Sequence, residues 1–141
     1  MDQKSIAKAE IWINAPTSKV WEALTTPEMI KKYLFGTEAI SDWKEGSPLI
    51  YKGVWEGKAY EDKGKIVKVE AGKLLVTTYW SSLAGKADVP ENYNNVSYEL
   101  TPKDSGTKLT ITQDNNPTPE SAKHSEQNWN MVLNNLKKML E

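Results

Sequence analysis

The chain has 141 residues, 18 basic and 19 acidic side chains, a net charge of −1 and no cysteine. That length suits one domain, able to bury roughly 70% of its unfolded surface without a metal or disulfide staple. The missing thiols exclude a disulfide scaffold, a thiol nucleophile and a cysteine zinc site. Interspersed charges of both signs speak against a general nucleic-acid or membrane-surface binder.

All 18 basic residues are lysine. Arginine's planar fork is the usual device for gripping phosphate or carboxylate, so its absence argues against a nucleotide or phosphopeptide site; a composition bias explains it equally well. The apolar complement is six Trp and six Tyr against one Phe. Trp and Tyr carry a polar handle, which suits a cavity wall and equally a sheet with one wet face. The N-terminus "MDQKSIAKAE" has no apolar core of a signal peptide, and no run is long enough to span a bilayer, so a cytoplasmic location is expected.

In chain order, "IAKAEIWINA" alternates, with Ala7, Ala9, Ile11 and Ile13 on one face and Lys8, Glu10 and Trp12 on the other, as in a half-buried strand. Pro16 suits the first turn of a helix that Asn14 or Thr17 would cap, with Val20, Trp21 and Leu24 as its apolar stripe. "TTPE" restarts the pattern. Thr26 caps, Pro27 takes the first helical position, Glu28 meets the dipole, and Ile30, Tyr33 and Leu34 form a second stripe that ends at Gly36.

Strands follow with turn signals between them: "TEAISDW", "PLIYKGVW", "AYEDKGKIVKV" with a bend at Gly64, "LLVTTYW", "YNNVSYELT" and "KLTITQDN". Alternation puts Val96, Tyr98 and Leu100 on one face, and Leu109, Ile111 and Gln113 likewise. The connection "SSLAGKADVPEN" is long for a hairpin and is expected to be mobile. Thr118 then caps a last helix with Pro119 at its first position. Its stripe is Trp129, Val132, Leu133, Leu136 and Leu140, against which the faces of the last two strands should pack. The order is strand, two short helices, about six strands, one long helix. This predicts an α+β fold with a curved antiparallel sheet around the C-terminal helix.

Catalytic signatures are missing. One histidine, His124, and no cysteine leave triads and zinc sites without parts, and no phosphate-binding glycine loop is present. No catalytic residue, metal ligand or cofactor is therefore expected. Glu61 and Asp62 point to opposite faces of a strand and read as surface charge. His124 reads as a solvated helix residue.

The last helix carries the more useful signal. Its stripe runs backwards from Trp129 to Ser125, Ala122 and Ser121, becoming small and polar where a solid core would stay apolar. Either these turns overhang into solvent or they leave room between helix and sheet. Gln113, continuing the inward face of Leu109 and Ile111, needs a hydrogen-bond partner, which a ligand or water could supply. A cavity with its mouth near the helix start would have Tyr33, Tyr51, Trp55, Trp80, Tyr98 and Trp129 as aromatic walls, with Leu34, Gln113, Ser125 and Asn128 beside them. Tyr79 and Trp80 cannot both point inward.

Five segments, "INAPTSKVWEALTTPE", "DWKEGS", "YEDKGKIVKVEAGKLLVTTYW", "VSYELTPKDSGTKLTITQ" and "NWNMVLNNLKKMLE", together resemble the activator of heat-shock-protein-90 ATPase C-terminal-domain-like family of the START-like (SRPBCC, birch-pollen-allergen) superfamily. The resemblance implies a helix-grip fold: a seven-stranded antiparallel sheet curled around the long helix, the helix pair closing one end and an internal cavity between. It also implies that Tyr33 and Leu34 lie near the cavity wall. Three functions fit such a scaffold. One is a carrier of a small hydrophobic or aromatic ligand, lipid- or polyketide-like. Another is a cochaperone-like interaction module acting, in stress response, on a heat-shock-protein-90-type chaperone. The third is a cyclase or hydrolase. A mostly apolar cavity would favour the carrier, an exposed apolar patch on the outer sheet face the module, and a buried pKa-shifted acid or His the enzyme.

Overall fold

The computed structural model describes residues 5–34, 36–55, 57–81, 87–116 and 118–141, without the side chains of Ser5 and Trp55. The elements are β1 (Ser5–Ile13), α1 (Thr17–Thr25), α2 (Pro27–Tyr33), β2 (Glu38–Ser41), β3 (Pro48–Trp55), β4 (Lys58–Glu70), β5 (Leu74–Tyr79), β6 (Asn94–Lys103), β7 (Gly106–Asn116) and α3 (Pro119–Leu140). The seven strands form one sheet in the order β1-β7-β6-β5-β4-β3-β2, every neighbouring pair antiparallel. With α3 laid across it, this is the helix-grip architecture.

The helix pair forms where the turn residues placed it, by a different capping chemistry. Pro16 itself occupies the N-cap of α1, and no side chain closes that end, so neither Asn14 nor Thr17 is the cap. Thr26 is the N-cap residue of α2 but its hydroxyl makes no capping bond; Pro27 at the first position supplies the pre-set φ instead. Gly36, at φ +81°, closes α2 with its N–H on the Lys31 carbonyl. Helix α3 has the full device: Thr118 and Ser121 satisfy each other's backbone N–H in a reciprocal capping box.

Where α3 lies decides where space is left. It packs chiefly over β1, and less over β7, α2 and α1. The inward face of β1 begins with Ala7 and Ala9, both buried, and side chains this small let the helix approach. Val132, Leu133 and Leu136 then join Ile13, Val96, Leu100, Leu109 and Ile111 in the main core. The far strands β3 to β5 curl away from the helix and hold a second, smaller core of Leu49, Ile66 and Leu75.

The bend in β4 has a steric cause. A side chain at Gly64 would collide with the Thr78 backbone carbonyl of β5, so the two backbones pass at a distance only glycine permits. On its N-terminal side, Lys63 and Trp80 exchange both backbone bonds as an isolated bridge; after it the register slips between Ile66 and Lys68. Of the connection after β5, residues 82–86 lie outside the described residues, and with them five of the twelve residues of the expected mobile segment. The remainder is tied down: the Asn92 amide donates to the Ala87 carbonyl at 2.8 Å, and Asn115 donates to the Glu91 and Tyr93 carbonyls.

Candidate functional site: a cavity between sheet and helix

Between α3 and the curled half of the sheet lies an open cavity of about 440 Å³. Its walls come from four directions. Helix α3 contributes Ser125, Asn128, Trp129 and the core leucines; α2 contributes Ile30, Tyr33 and Leu34; β3 and β4 contribute Tyr51, Val54, Tyr60 and Asp62; β5 to β7 contribute Leu75, Thr77, Tyr79, Val96, Tyr98, Ile111 and Gln113. The short helix pair thus does two things. Val20, Ala23 and Leu24 fill the core, while Tyr33 and Leu34 face the cavity.

Of the ten residues expected at a ligand site, the structure brings eight together on this wall: Tyr33, Leu34, Tyr51, Tyr98, Gln113, Ser125, Asn128 and Trp129. Trp80 is not among them. Strand alternation sends it away from Tyr79, and its ring stacks on Tyr93 at 6.4 Å while its indole N–H donates to the Ala87 carbonyl at 3.1 Å. Tyr79 takes the inward place. Trp55 ends β3, and its side chain lies outside the described residues.

The small, polar turns of α3 have a partner. Gln113 donates to Asn116 Oδ1 at 3.2 Å and to Ser125 Oγ at 3.3 Å, and its Oε1 accepts the Trp129 indole N–H at 2.9 Å. Ser125 Oγ donates to Asn116 Oδ1 at 3.2 Å. The side chain of Gln113 is therefore satisfied by protein groups. The partner that Gln113 needs is thus supplied by Asn116, Ser125 and Trp129, where a ligand or water could also have supplied it. Ala122, in the same stretch, is buried rather than overhanging, and His124 is exposed on the opposite side.

The second polar group of the cavity was misread from the sequence. Asp62 is buried, at 8% exposure, and faces the cavity, so it is not surface charge. Its neighbour Glu61 is the exposed one, 3.7 Å from Lys52. Alternation along β4 puts Tyr60, Asp62 and Ile66 on one face, and that rule, applied through the buried Ile66, would have found it. Tyr79 donates its hydroxyl to Asp62 Oδ2 at 2.7 Å, and its ring lies 6.4 Å from that of Tyr51. Tyr60 was missed too. Its ring lies over Gly53 on the paired strand, where a Cβ would touch the phenol oxygen, and its hydroxyl meets that of Thr37. A glycine inside a strand pattern was the available signal for such a close approach.

Burial governs the phenols. It pushes the Tyr51 hydroxyl up to about 12, against a hydrogen bond from Tyr98 that works the other way and with the Asp62 charge adding to the rise. Tyr79 is raised further, by burial first and then by the Asp62 charge and hydrogen bond. Tyr33 and Tyr98 are raised by burial first. At neutral pH these hydroxyls are all protonated. Tyr33 uses its proton on the Ala23 carbonyl, 3.0 Å away. Tyr98 meets Trp129 edge to face at 5.9 Å, joining sheet to helix across the wall. Among the described residues no group of three or more His, Cys, Asp or Glu is placed to hold a metal ion. No helix among them is long and apolar enough to cross a membrane.

A seven-stranded antiparallel sheet gripping a long C-terminal helix, with a cavity held between them, defines a START-like, SRPBCC-type fold. Residues 14–141 match the family described as Activator of Hsp90 ATPase homolog 1-like protein, and the chain belongs to that family. It is similar to the solution structure of ChR145 from Cytophaga hutchinsonii at 52% identity and a TM-score of 0.87, covering 99% of this chain and 96% of that one. The Aha1 dimer from Colwellia psychrerythraea shares the fold at 23% identity and a TM-score of 0.75, over 97% and 96% of the two chains. So does DynU16, a protein of the dynemicin biosynthetic locus, at 18% identity and a TM-score of 0.79, over 99% of this chain and 48% of that one. No curated protein sequence matches the chain significantly.

Proposed function

We propose that this chain is a small-molecule binding protein that holds a hydrophobic or aromatic ligand, lipid- or polyketide-like, between the sheet and α3. One observation carries the proposal: a cavity of about 440 Å³ walled by aromatic and aliphatic side chains with a few polar groups among them. Ligand pockets usually span about 300–1,000 Å³ and have this composition. The residues proposed to touch the ligand are Tyr33, Leu34, Tyr51, Tyr98, Asn128 and Trp129, with Ser125 and Gln113 at one end. A single-domain, cytoplasmic protein needing no cofactor fits this role. The likeness to DynU16 is one of fold alone and leaves the ligand to experiment.

The test uses tryptophan emission. Trp129 is in the wall, so a neutral anthracene alcohol bound in the cavity quenches it by energy transfer, saturably. Ser125→Trp fills the space and abolishes that quenching while the far-ultraviolet circular dichroism is kept. Quenching that never saturates, or that survives Ser125→Trp in the folded variant, contradicts the proposal. The cochaperone reading is favoured by the family's description. Its check is whether the chain stimulates the ATPase of a heat-shock-protein-90-type chaperone, and Ser125→Trp should not affect that activity.

A further inference from the structure

Five polar side chains are buried among the described residues: Thr37, Asp62, Thr77, Thr107 and Asn116. Four of them are engaged. The Thr37 hydroxyl meets that of Tyr60, Asp62 accepts from Tyr79, Thr107 donates to the Ala15 carbonyl at 2.8 Å, and Asn116 donates to the Gln113 carbonyl at 2.9 Å. Thr77 is 2% exposed, and among the described residues its hydroxyl has no hydrogen-bond partner. It lies on the cavity wall. On β5 it is paired with Ile66 of β4 on one side and Val96 of β6 on the other, and Leu75 precedes it on the same face. All three neighbours are buried and apolar. Threonine has the branched shape of valine, so this row of the sheet differs from a purely apolar one by a single hydroxyl in place of a methyl.

Building on the binding function proposed above, we infer that Thr77 is a ligand contact: its hydroxyl donates to a carbonyl oxygen borne on the apolar or aromatic body of the ligand, so the cavity prefers a ketone over a hydrocarbon of the same shape. A buried hydroxyl without a protein partner lowers stability, and valine would fill the same space without that penalty. Folding gains nothing from the hydroxyl, so its use lies with what enters the cavity. Counting donors selects the carbonyl. A threonine hydroxyl and a carbonyl form one donor–acceptor pair with no proton left over. A ligand hydroxyl opposite Thr77 brings a second proton, only one of the two can be used between them, and the flanking Ile66 and Val96 side chains accept neither. The phenols of the same wall suit this choice, because Tyr51, Tyr79 and Tyr98 keep their protons at neutral pH and set no negative charge of their own beside a carbonyl oxygen.

Amide chemical-shift titration of the whole chain with 2-acetylnaphthalene and 2-isopropenylnaphthalene tests the inference, because the second carries a methylene group where the first has its carbonyl oxygen and keeps the same shape. Water solvates the ketone better than the hydrocarbon, so the quantity to compare between variants is the ratio of the two affinities, from which the hydration of the free ligands cancels. Thr77→Val should lower the ketone-to-hydrocarbon ratio by about fivefold, with the hydrocarbon's own affinity kept within about threefold. Thr77→Ser keeps the hydroxyl and should hold the ratio within about twofold of the wild type. The melting temperature of ligand-free Thr77→Val should equal or exceed that of the wild type, since no bond within the protein is lost. A ratio unchanged in Thr77→Val, or one that falls as far in Thr77→Ser, overturns the inference. So does a Thr77→Val that melts several degrees lower or does not fold, which would mark a structural role for the hydroxyl. In each of these cases the cavity's role in binding stands. If neither probe gives a saturable shift in the wild type, the binding function and this inference fall together.

Discussion

Trp129 of α3 donates its indole N–H to Gln113 Oε1 of β7 at 2.9 Å, and this bond pins the long helix to the sheet where the aliphatic core gives out. On the C-terminal side Val132, Leu133 and Leu136 hold the helix by burial; on the other side Ser125 and Asn116 extend the hydrogen bonding. Removing the acceptor leaves a half-buried N–H without its partner. Gln113→Leu is expected to lower stability by about 1–3 kcal/mol, the usual penalty for such a group. Urea unfolding measures it, and an unchanged midpoint would mean that water replaces the bond.

Leu136 is 1% exposed and belongs to the main core. Leu136→Ala should cost about 2–5 kcal/mol by the same measurement. A loss below about 0.5 kcal/mol would place a different face of α3 against the sheet.

At Gly64 a methyl group would collide with the Thr78 carbonyl, a backbone atom that cannot turn aside. Gly64→Ala therefore has to separate β4 from β5 where the register changes. An expected cost of about 3 kcal/mol lies at the upper end for overpacking. Amide exchange in the variant should quicken first at Lys63 and Trp80, which bond across that point.

Much of this architecture was legible because it rests on local rules. The 3.6-residue stripe of α3, the proline starts of α2 and α3 and the alternation of β1, β6 and β7 each follow from one short window of sequence. The caps of α1 and α2 were less legible, since Pro16 and Pro27 set the backbone without the side-chain bonds a Thr or Asn suggests. The candidate site was harder, because a cavity is a relation between distant segments. Gln113 looked unpartnered only because Asn116, Ser125 and Trp129 meet it through the fold. Asp62 looked like surface charge because the next residue, Glu61, is surface charge, and composition at that position outweighed the alternation that separates them. Trp80 and Tyr79 differ by one step on a strand, and the register that chose between them is set by pairing with β6, a contact of long sequence separation.

The cavity phenols predict an alkaline signature. An unfolded tyrosine ionises near pH 10, whereas Tyr51 is pushed up to about 12 and Tyr79, Tyr33 and Tyr98 are also raised. These groups hold their protons more tightly when folded. Their contribution to stability is full below about pH 10 and is lost as pH rises through the folded value, because the unfolded chain then releases protons that the native one keeps. Stability should fall from about pH 10 towards pH 12, and phenolate absorbance should show the cavity tyrosines ionising late or only on unfolding. Six tyrosines titrating together near pH 10 in the folded protein would contradict this.

The most direct test of the account is to follow the backbone amides by nuclear magnetic resonance while the neutral anthracene alcohol is added. If the space between sheet and helix holds the ligand, the shifts should be saturable and centred on Tyr51, Asp62, Tyr79, Tyr98, Gln113 and Trp129, which share the cavity wall. Shifts confined to the exposed Trp12 and Val67, or no saturable shift at all, would contradict it.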